Sequence, residues 1–306
     1  MEQKSMTALI SLFSRAYHFE QNGRDAIFPD SIARSLLSDE EYAKISESMS
    51  AGISFFNPTF VGDGRDALRW IVDNQLSPSP LGRAAYAEDR LERAVREERV
   101  GQYLVCGAGY DTFAYRRPAW AETLQVFELD LPQMSRDKRM RLGRAGLDVS
   151  QNTHFLETDF SESGWKKTLE DNPAFHQGEK SFSSLLGVSY YLSEPEFRMF
   201  LKELASVLAS GSFVVFDVPD ALSYTMEGGA RSKRQSLLAD GAKEPMLASY
   251  SPDSLRSLLG ATGYRIVECL TPEELTGRFF SSYNKANREH PVTAFDNVNY
   301  CLAGRV

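Results

Sequence analysis

The sequence predicts an α/β fold: a seven-stranded, doubly wound, Rossmann-like sheet with an antiparallel last strand, an amino-terminal helical cap and an insertion after the fifth strand. Three observations predict it. Residues 1–97 carry helical periodicity and no strand pattern; from Gly101 onward short apolar runs alternate with helical patterns; and the last two such runs have no clear helix between them. Strands separated by helices imply a parallel sheet with right-handed crossovers, whereas two joined without one imply antiparallel pairing.

The cap comes first. Residues 5–19 place Leu9, Leu12, Phe13, Ala16 and Tyr17 three and four apart, which makes one helix face apolar. Ser38 and Glu41 have the spacing of a capping box, so a second helix starts there. Residues 66–76 and 81–98 read as two more helices, separated by Ser77-Pro78-Ser79-Pro80, which interrupts the helical pattern. The charged run EDRLERAVREER reads as a solvated face. Residues 1–97 are thus expected to form a cap over a cofactor-binding domain at 98–306.

Strands are expected at 102–106, 124–129, 153–157, 182–188, 212–218, 264–270 and 297–304, and helices mainly at 132–144, 164–171, 194–209 and 252–261. The stretch through Asn284, Asn287 and His290-Pro291 reads as loop. Seven strands with the last one reversed is the architecture of the common methyltransferase domain. The insertion, about 219–250, is polar and glycine-bearing. It follows the fifth strand, above the sheet edge where ligands bind, and is expected to form part of a substrate lid.

Everything is arranged around residues 100–132, which read as strand, glycine turn, helix, strand and acid. Gly107-Ala108-Gly109 turns the chain sharply and bares its backbone, and Glu128 and Asp130 end the second strand about 20 residues further on, the usual position of a ribose-binding acid. A pyrophosphate turn wants a third small residue and no negative charge. Here Thr112 holds that place and Asp111 precedes it, which disfavours a dinucleotide. S-adenosylmethionine has no phosphate, and its cationic centres tolerate a carboxylate nearby.

Composition narrows the partners. The chain has 306 residues, 42% of them hydrophobic, and a net charge of −8, which argues against nucleic acid. No apolar segment approaches 18 residues, so no membrane span is expected. Cys106, Cys269 and Cys301 lie in apolar, strand-like runs and are expected to be reduced core residues of a cytoplasmic protein, with no metal bound. His18, His154, His176 and His290 have no partner at catalytic spacing.

The runs GAGYDTFAYR, FELDLP, TDF and GVSYYL together resemble the leucine carboxyl methyltransferase-like family, and most closely its bacterial and fungal small-molecule, polyketide-type O-methyltransferase branch. The resemblance covers nearly the whole chain. It implies that Arg15 and Arg83 hold the cofactor's carboxylate, that Gly107 and Gly109 line its methionine portion, and that Asp130, with Glu128 a second candidate, binds the ribose. Asp159 and Phe160 are implied at the adenine, and Tyr191 is expected to border the acceptor pocket and orient the substrate. Two positions depart from the family pattern. Leu186 stands where an acid often approaches the cofactor, and Ser161 replaces an arginine of the protein-methylating members.

The activity so implied is methyl transfer to a carboxylate, or a hydroxyl, of a small molecule. A carboxylate is ionised at neutral pH and needs no general base. The alternatives are a protein-carboxyl methyltransferase and a catalytically silent, cofactor-binding interaction protein.

Overall fold

The computed structural model describes residues 5–225, 227–241, 246 and 248–306. The chain enters through helix α1 (Met6–Asn22), where the Ser5 hydroxyl caps the amide of Ala8 at 3.2 Å. Helix α2 (Asp39–Ala51) starts at the expected box: Ser38 Oγ accepts from Glu41 N, and Glu41 Oε2 accepts from Ser38 N. The short α3 (Ile53–Phe56) and α4 (Gly64–Ile71) follow, and a π-helical turn (Val72–Leu76) leads into α5 (Pro78–Glu98). The prolines do not separate two helices here. Pro78 opens α5 and Pro80 lies in its first turn, where a missing amide hydrogen costs nothing and the fixed φ suits the helix.

The sheet contains β1 (Gln102–Cys106), β2 (Gln125–Asp130), β3 (Thr153–Glu157), β4 (Ser181–Leu185), β5 (Phe213–Pro219), β6 (Tyr264–Leu270) and β7 (Val298–Arg305). Its order is β3-β2-β1-β4-β5-β7-β6. The first five strands pair in parallel, and β7 lies antiparallel between β5 and β6. Both faces are covered. Leu104, Phe127, Leu185 and Phe216 pack under α8 (Glu194–Val207) and α10 (Pro252–Ala261); Tyr103, Val105, Val126 and Val215 pack with α5 on the other face. A third cluster joins α1, α2 and the π-turn to Met134 and Leu142 of α6 (Pro132–Arg144), which fastens the amino-terminal helices to the sheet layer.

Three expectations need correction. No α-helix joins β1 to β2. Asp111 Oδ1 takes the Phe113 amide in a local turn, and Pro118 disfavours helix at the residue before it, so only the 3₁₀ turns Phe113–Tyr115 and Ala119–Ala121 form. Between β6 and β7 the chain is helical: α11 (Pro272–Leu275), a π-turn (Thr276–Phe280) and α12 (Ser281–Ala286). Finally, Cys269 and Cys301 are joined in a disulfide. They face each other in the β6–β7 ladder with Cα atoms 4.0 Å apart, a register that single-strand periodicity does not reveal. Cys106 is free and buried.

The insertion after β5 carries α9 (Ala230–Gly241); residues 226, 242–245 and 247, which also fall within it, lie outside the described residues. The lone α7 (Lys166–Glu170) lies between β3 and β4. Among the described residues no helix is long and apolar enough to cross a membrane, and no group of three or more His, Cys, Asp or Glu is placed to hold a metal ion.

Candidate cofactor and acceptor site

A cavity of about 970 Å³ lies over the carboxyl ends of β1 to β4, roofed by the start of α1, the first π-turn, the start of α5 and the end of the insertion. Parallel strands leave their ligand crevice at this edge, where the connections to either side of β1 and β4 diverge. Arg15, Arg83, Gly107, Gly109, Asp130, Asp159, Phe160 and Tyr191 all line it. Glu128 does not.

The glycine turn is shaped by two positive φ angles, 72° at Gly107 and 46° at Gly109. At Gly107 a side chain has no room: an added Cβ would stand 2.3 Å from Val188 Cγ2. Asp130 closes the turn from below. Its Oδ2 accepts the Gly109 amide at 2.6 Å and its Oδ1 the Leu131 amide at 2.7 Å. Burial pushes the Asp130 carboxyl up, and these two N–H groups pull it back.

Glu128 lies two residues deeper on the same strand. It makes a 2.7 Å ion pair with Lys138 and accepts the Tyr115 hydroxyl at 3.1 Å on each oxygen. Both side chains of the ion pair are 2% exposed, so this acid balances a buried lysine beneath the site. A period of two puts Glu128 and Asp130 on one face; only Asp130 is near enough to the strand end to reach the cavity.

The two arginines differ. Arg15 donates to the Tyr110 carbonyl at 2.7 Å and faces Asp30 at 3.2 Å, and its pKa is lowered chiefly by burial, against the pull of Asp30 and Asp111. Arg83 donates to Ser11 Oγ at 3.2 Å and lies 3.7 Å from Asp217. Asp217, wholly buried on β5, also accepts the Gly187 amide and the Tyr190 hydroxyl, each at 2.7 Å. A Cβ on Gly187 would fall 2.0 Å from Arg83 Nη1, so the glycine makes the arginine's position available. The sequence reading missed Asp217 and Asp30. The signal for Asp217 was present, an acid inside the apolar run Phe213–Pro219; that for Asp30 was not.

Asp159 Oδ1 accepts the amide and hydroxyl of Ser161, which folds the loop after β3 under the cavity, while Phe160 packs edge-on against Trp165 and Phe200. Leu186 and Tyr191 follow β4 and line the opposite half. The glycine cradle, the aimed Asp130 carboxylate and the cationic Arg83 fit an adenosyl cofactor with an amino-acid tail. Without a helix after the turn there is no helix amino terminus to receive a pyrophosphate.

The profile of the family described as leucine carboxyl methyltransferase matches residues 8–205, more than half of the chain. The chain belongs to the leucine carboxyl methyltransferase family. It is 36% identical over 311 residues to YktD of Bacillus subtilis (strain 168), a protein whose name assigns it to the S-adenosyl-L-methionine-dependent methyltransferases, with 98% of each chain covered. A Mycolicibacterium smegmatis protein with the same kind of name is 30% identical over 135 residues, 44% of each. Among solved structures, a Thermobifida fusca YX protein named as a methyltransferase aligns with a TM-score of 0.58 at 12% identity, covering 99% of this chain and 96% of its own. A DUF574 protein of Streptomyces avermitilis MA-4680 aligns at 0.56 and 13%, with 96% and 97% covered. These two likenesses show the fold. Family and relative together make this leucine carboxyl methyltransferase family member an S-adenosylmethionine-dependent methyltransferase.

Proposed function

We propose that this enzyme methylates the carboxylate of a small, largely hydrophobic molecule of polyketide type. The observation that carries the reading is the acceptor half of the cavity. Among the described residues, the walls contributed after β4 and by the insertion are Leu186, Gly187, Val188, Tyr191, Leu192, Gly241 and Met246, with no histidine, lysine or acid among these seven. A phenol or alcohol would need a base to remove its proton there, whereas a carboxylate arrives ionised. Leu186, where the family often has an acid, makes that wall apolar and leaves Arg83 to the cofactor's carboxylate.

In this reading Asp130 takes the ribose hydroxyls, Asp159 and Phe160 the adenine, and Arg15 and Arg83 the carboxylate end, with Arg83 braced by Asp217. The bound cofactor supplies an electrophilic methyl group on a sulfonium. A carboxylate acceptor would take that methyl group without giving up a proton, the bonding pair being left on sulfur, so no residue of the chain need act as a base. The chain therefore mainly aligns two ligands and keeps water from the line of attack. Tyr191 orients the acceptor, residues 1–97 form the cap over it, and the insertion at 219–250 forms its lid.

The test is methyl transfer from methyl-labelled S-adenosylmethionine to panels of carboxylic acids, phenols and alcohols. A methyl ester releases labelled methanol in mild base; a methyl ether does not. Base-stable product would overturn the carboxylate reading, and label incorporated only into lysate proteins would favour a protein acceptor.

A further inference from the structure

The π-helical turn Val72–Leu76 sits at the roof of the cavity and has so far no task. Its extra residue closes a hydrogen bond from Ser77 N to the Val72 carbonyl at 2.9 Å, five residues apart. Such turns cost regular helix bonding and occur often at functional sites. Here Val72 and Leu76 stay in the cap's core and Asp73 is buried, while Gln75 is half-buried and lines the cavity. The Gln75 amide has no hydrogen-bond partner among the described residues.

The turn's place relative to the sheet is fixed by its neighbour. The Asn74 carbonyl accepts from Arg231 at the start of α9, at 3.4 Å. Arg231 in turn donates to the Ala294 carbonyl at 2.6 Å and the Asp296 carboxylate at 2.5 Å. Gln75 therefore stands beside the insertion that follows β5, on the acceptor side. Beside it in the chain Leu76, Ser79 and Pro80 also line the cavity, and Leu186 and Met246 add apolar wall among the described residues.

We infer that Gln75 is a specificity-determining residue: it hydrogen-bonds a neutral polar group, a carbonyl or hydroxyl, on the hydrocarbon body of the acceptor, distant from the carboxylate that is methylated. This rests on the carboxylate reading above. A carboxamide offers both a donor and an acceptor to such a group. A partly desolvated amide left unpaired disfavours an acceptor lacking it, by about tenfold or more. A methionine-bearing wall adapts to the body of the molecule, so a directional group such as this amide adds the discrimination that the wall lacks.

The experiment uses ω-phenylalkanoic acids of five to ten chain carbons, each paired with its mono-oxo counterparts, as acceptors for the full-length enzyme. The readout is the ratio of kcat/KM for oxo acid over plain acid, in the parent and in Gln75→Leu, with S-adenosylmethionine affinity measured as a check of folding. The parent is expected to prefer at least one oxo acid by about tenfold or more, and the preference to collapse toward unity in Gln75→Leu. An equal ratio for every pair in the parent, or a preference that survives Gln75→Leu, overturns the assignment while leaving the carboxylate reading intact. No ester from any of these acids overturns the carboxylate reading itself.

Discussion

Replacing Glu41 by glutamine would loosen the joint between α2 and α6. The carboxylate grips Arg141 of α6 with both oxygens, each at 2.7 Å, while Oε2 also receives the Ser38 amide at 3.0 Å. Arg141 is 1% exposed and keeps two other partners, Asp137 at 2.5 Å and the Leu36 carbonyl at 2.9 Å. Removing one charge of a buried pair costs about 3–5 kcal/mol when the other is left alone. Because Asp137 and Leu36 remain, we expect about 2–3 kcal/mol at pH 7, read from urea unfolding. Acid supplies an independent check. Arg141 holds the Glu41 carboxyl down to about 2, from an ordinary 4.5. A depressed carboxyl stabilises fully above its unfolded value and loses that contribution as pH falls through its folded one. The gap between parent and Glu41→Gln should hold above pH 4.5 and narrow toward pH 2. A gap below about 1 kcal/mol at pH 7, smaller than one ordinary hydrogen bond, or one indifferent to acid, would refute this account of the joint.

Three further outcomes are expected. Asp73 has the opposite linkage: burial, against the pull of Arg69, pushes its carboxyl up to about 6, so its contribution is present below about 4 and lost as pH rises through 6. Asp73→Asn should therefore unfold up to about 3 kcal/mol later than the parent at pH 8 and show little gain at pH 4, and a pH-independent difference would contradict this. Asp130→Ala removes the carboxylate that holds the Gly109 and Leu131 amides, and calorimetric titration should find S-adenosylmethionine bound about 100-fold more weakly; parent-like affinity would place the ribose elsewhere. Gly107→Ala meets both a φ of 72° and Val188, and should weaken cofactor binding about tenfold or more. Adding Val188→Ala should restore part of that loss, since it relieves the contact but not the backbone; no restoration would show that the contact is unimportant.

The strands were legible because buried parallel strands are written as short apolar runs, and β1, β3 and β6 begin and end where those runs do. Helices 272–286 were harder, being short and divided by a π-turn, although Thr271, Pro272 and Glu274 spell a capping box that now proves occupied. Ser77–Pro80 misled because the same prolines that break a helix also begin one. Glu128 and Asp130 share a strand face, and what separates them is depth and the presence of Lys138, neither of which local pattern encodes. The Cys269–Cys301 bridge depends on register between two strands and so is a tertiary fact. At the site, glycines and terminal acids announced themselves through backbone chemistry; Asp30 and Asp217 act through neighbours brought from distant parts of the chain, and Gln75 is marked only by its place in the cavity wall.

Both oxygens of the Asp130 carboxylate are held by main-chain amides, Gly109 on one and Leu131 on the other. A ribose meeting it would find no rotamer left to freeze, so little of the contact is spent on ordering. The same economy has a kinetic side. The ribose is identical in the methyl donor and in its demethylated product, so a grip placed there holds spent and fresh cofactor alike. Turnover would then be governed by how quickly the by-product is cleared, and the rate in a cell would follow the ratio of donor to by-product more closely than the amount of donor.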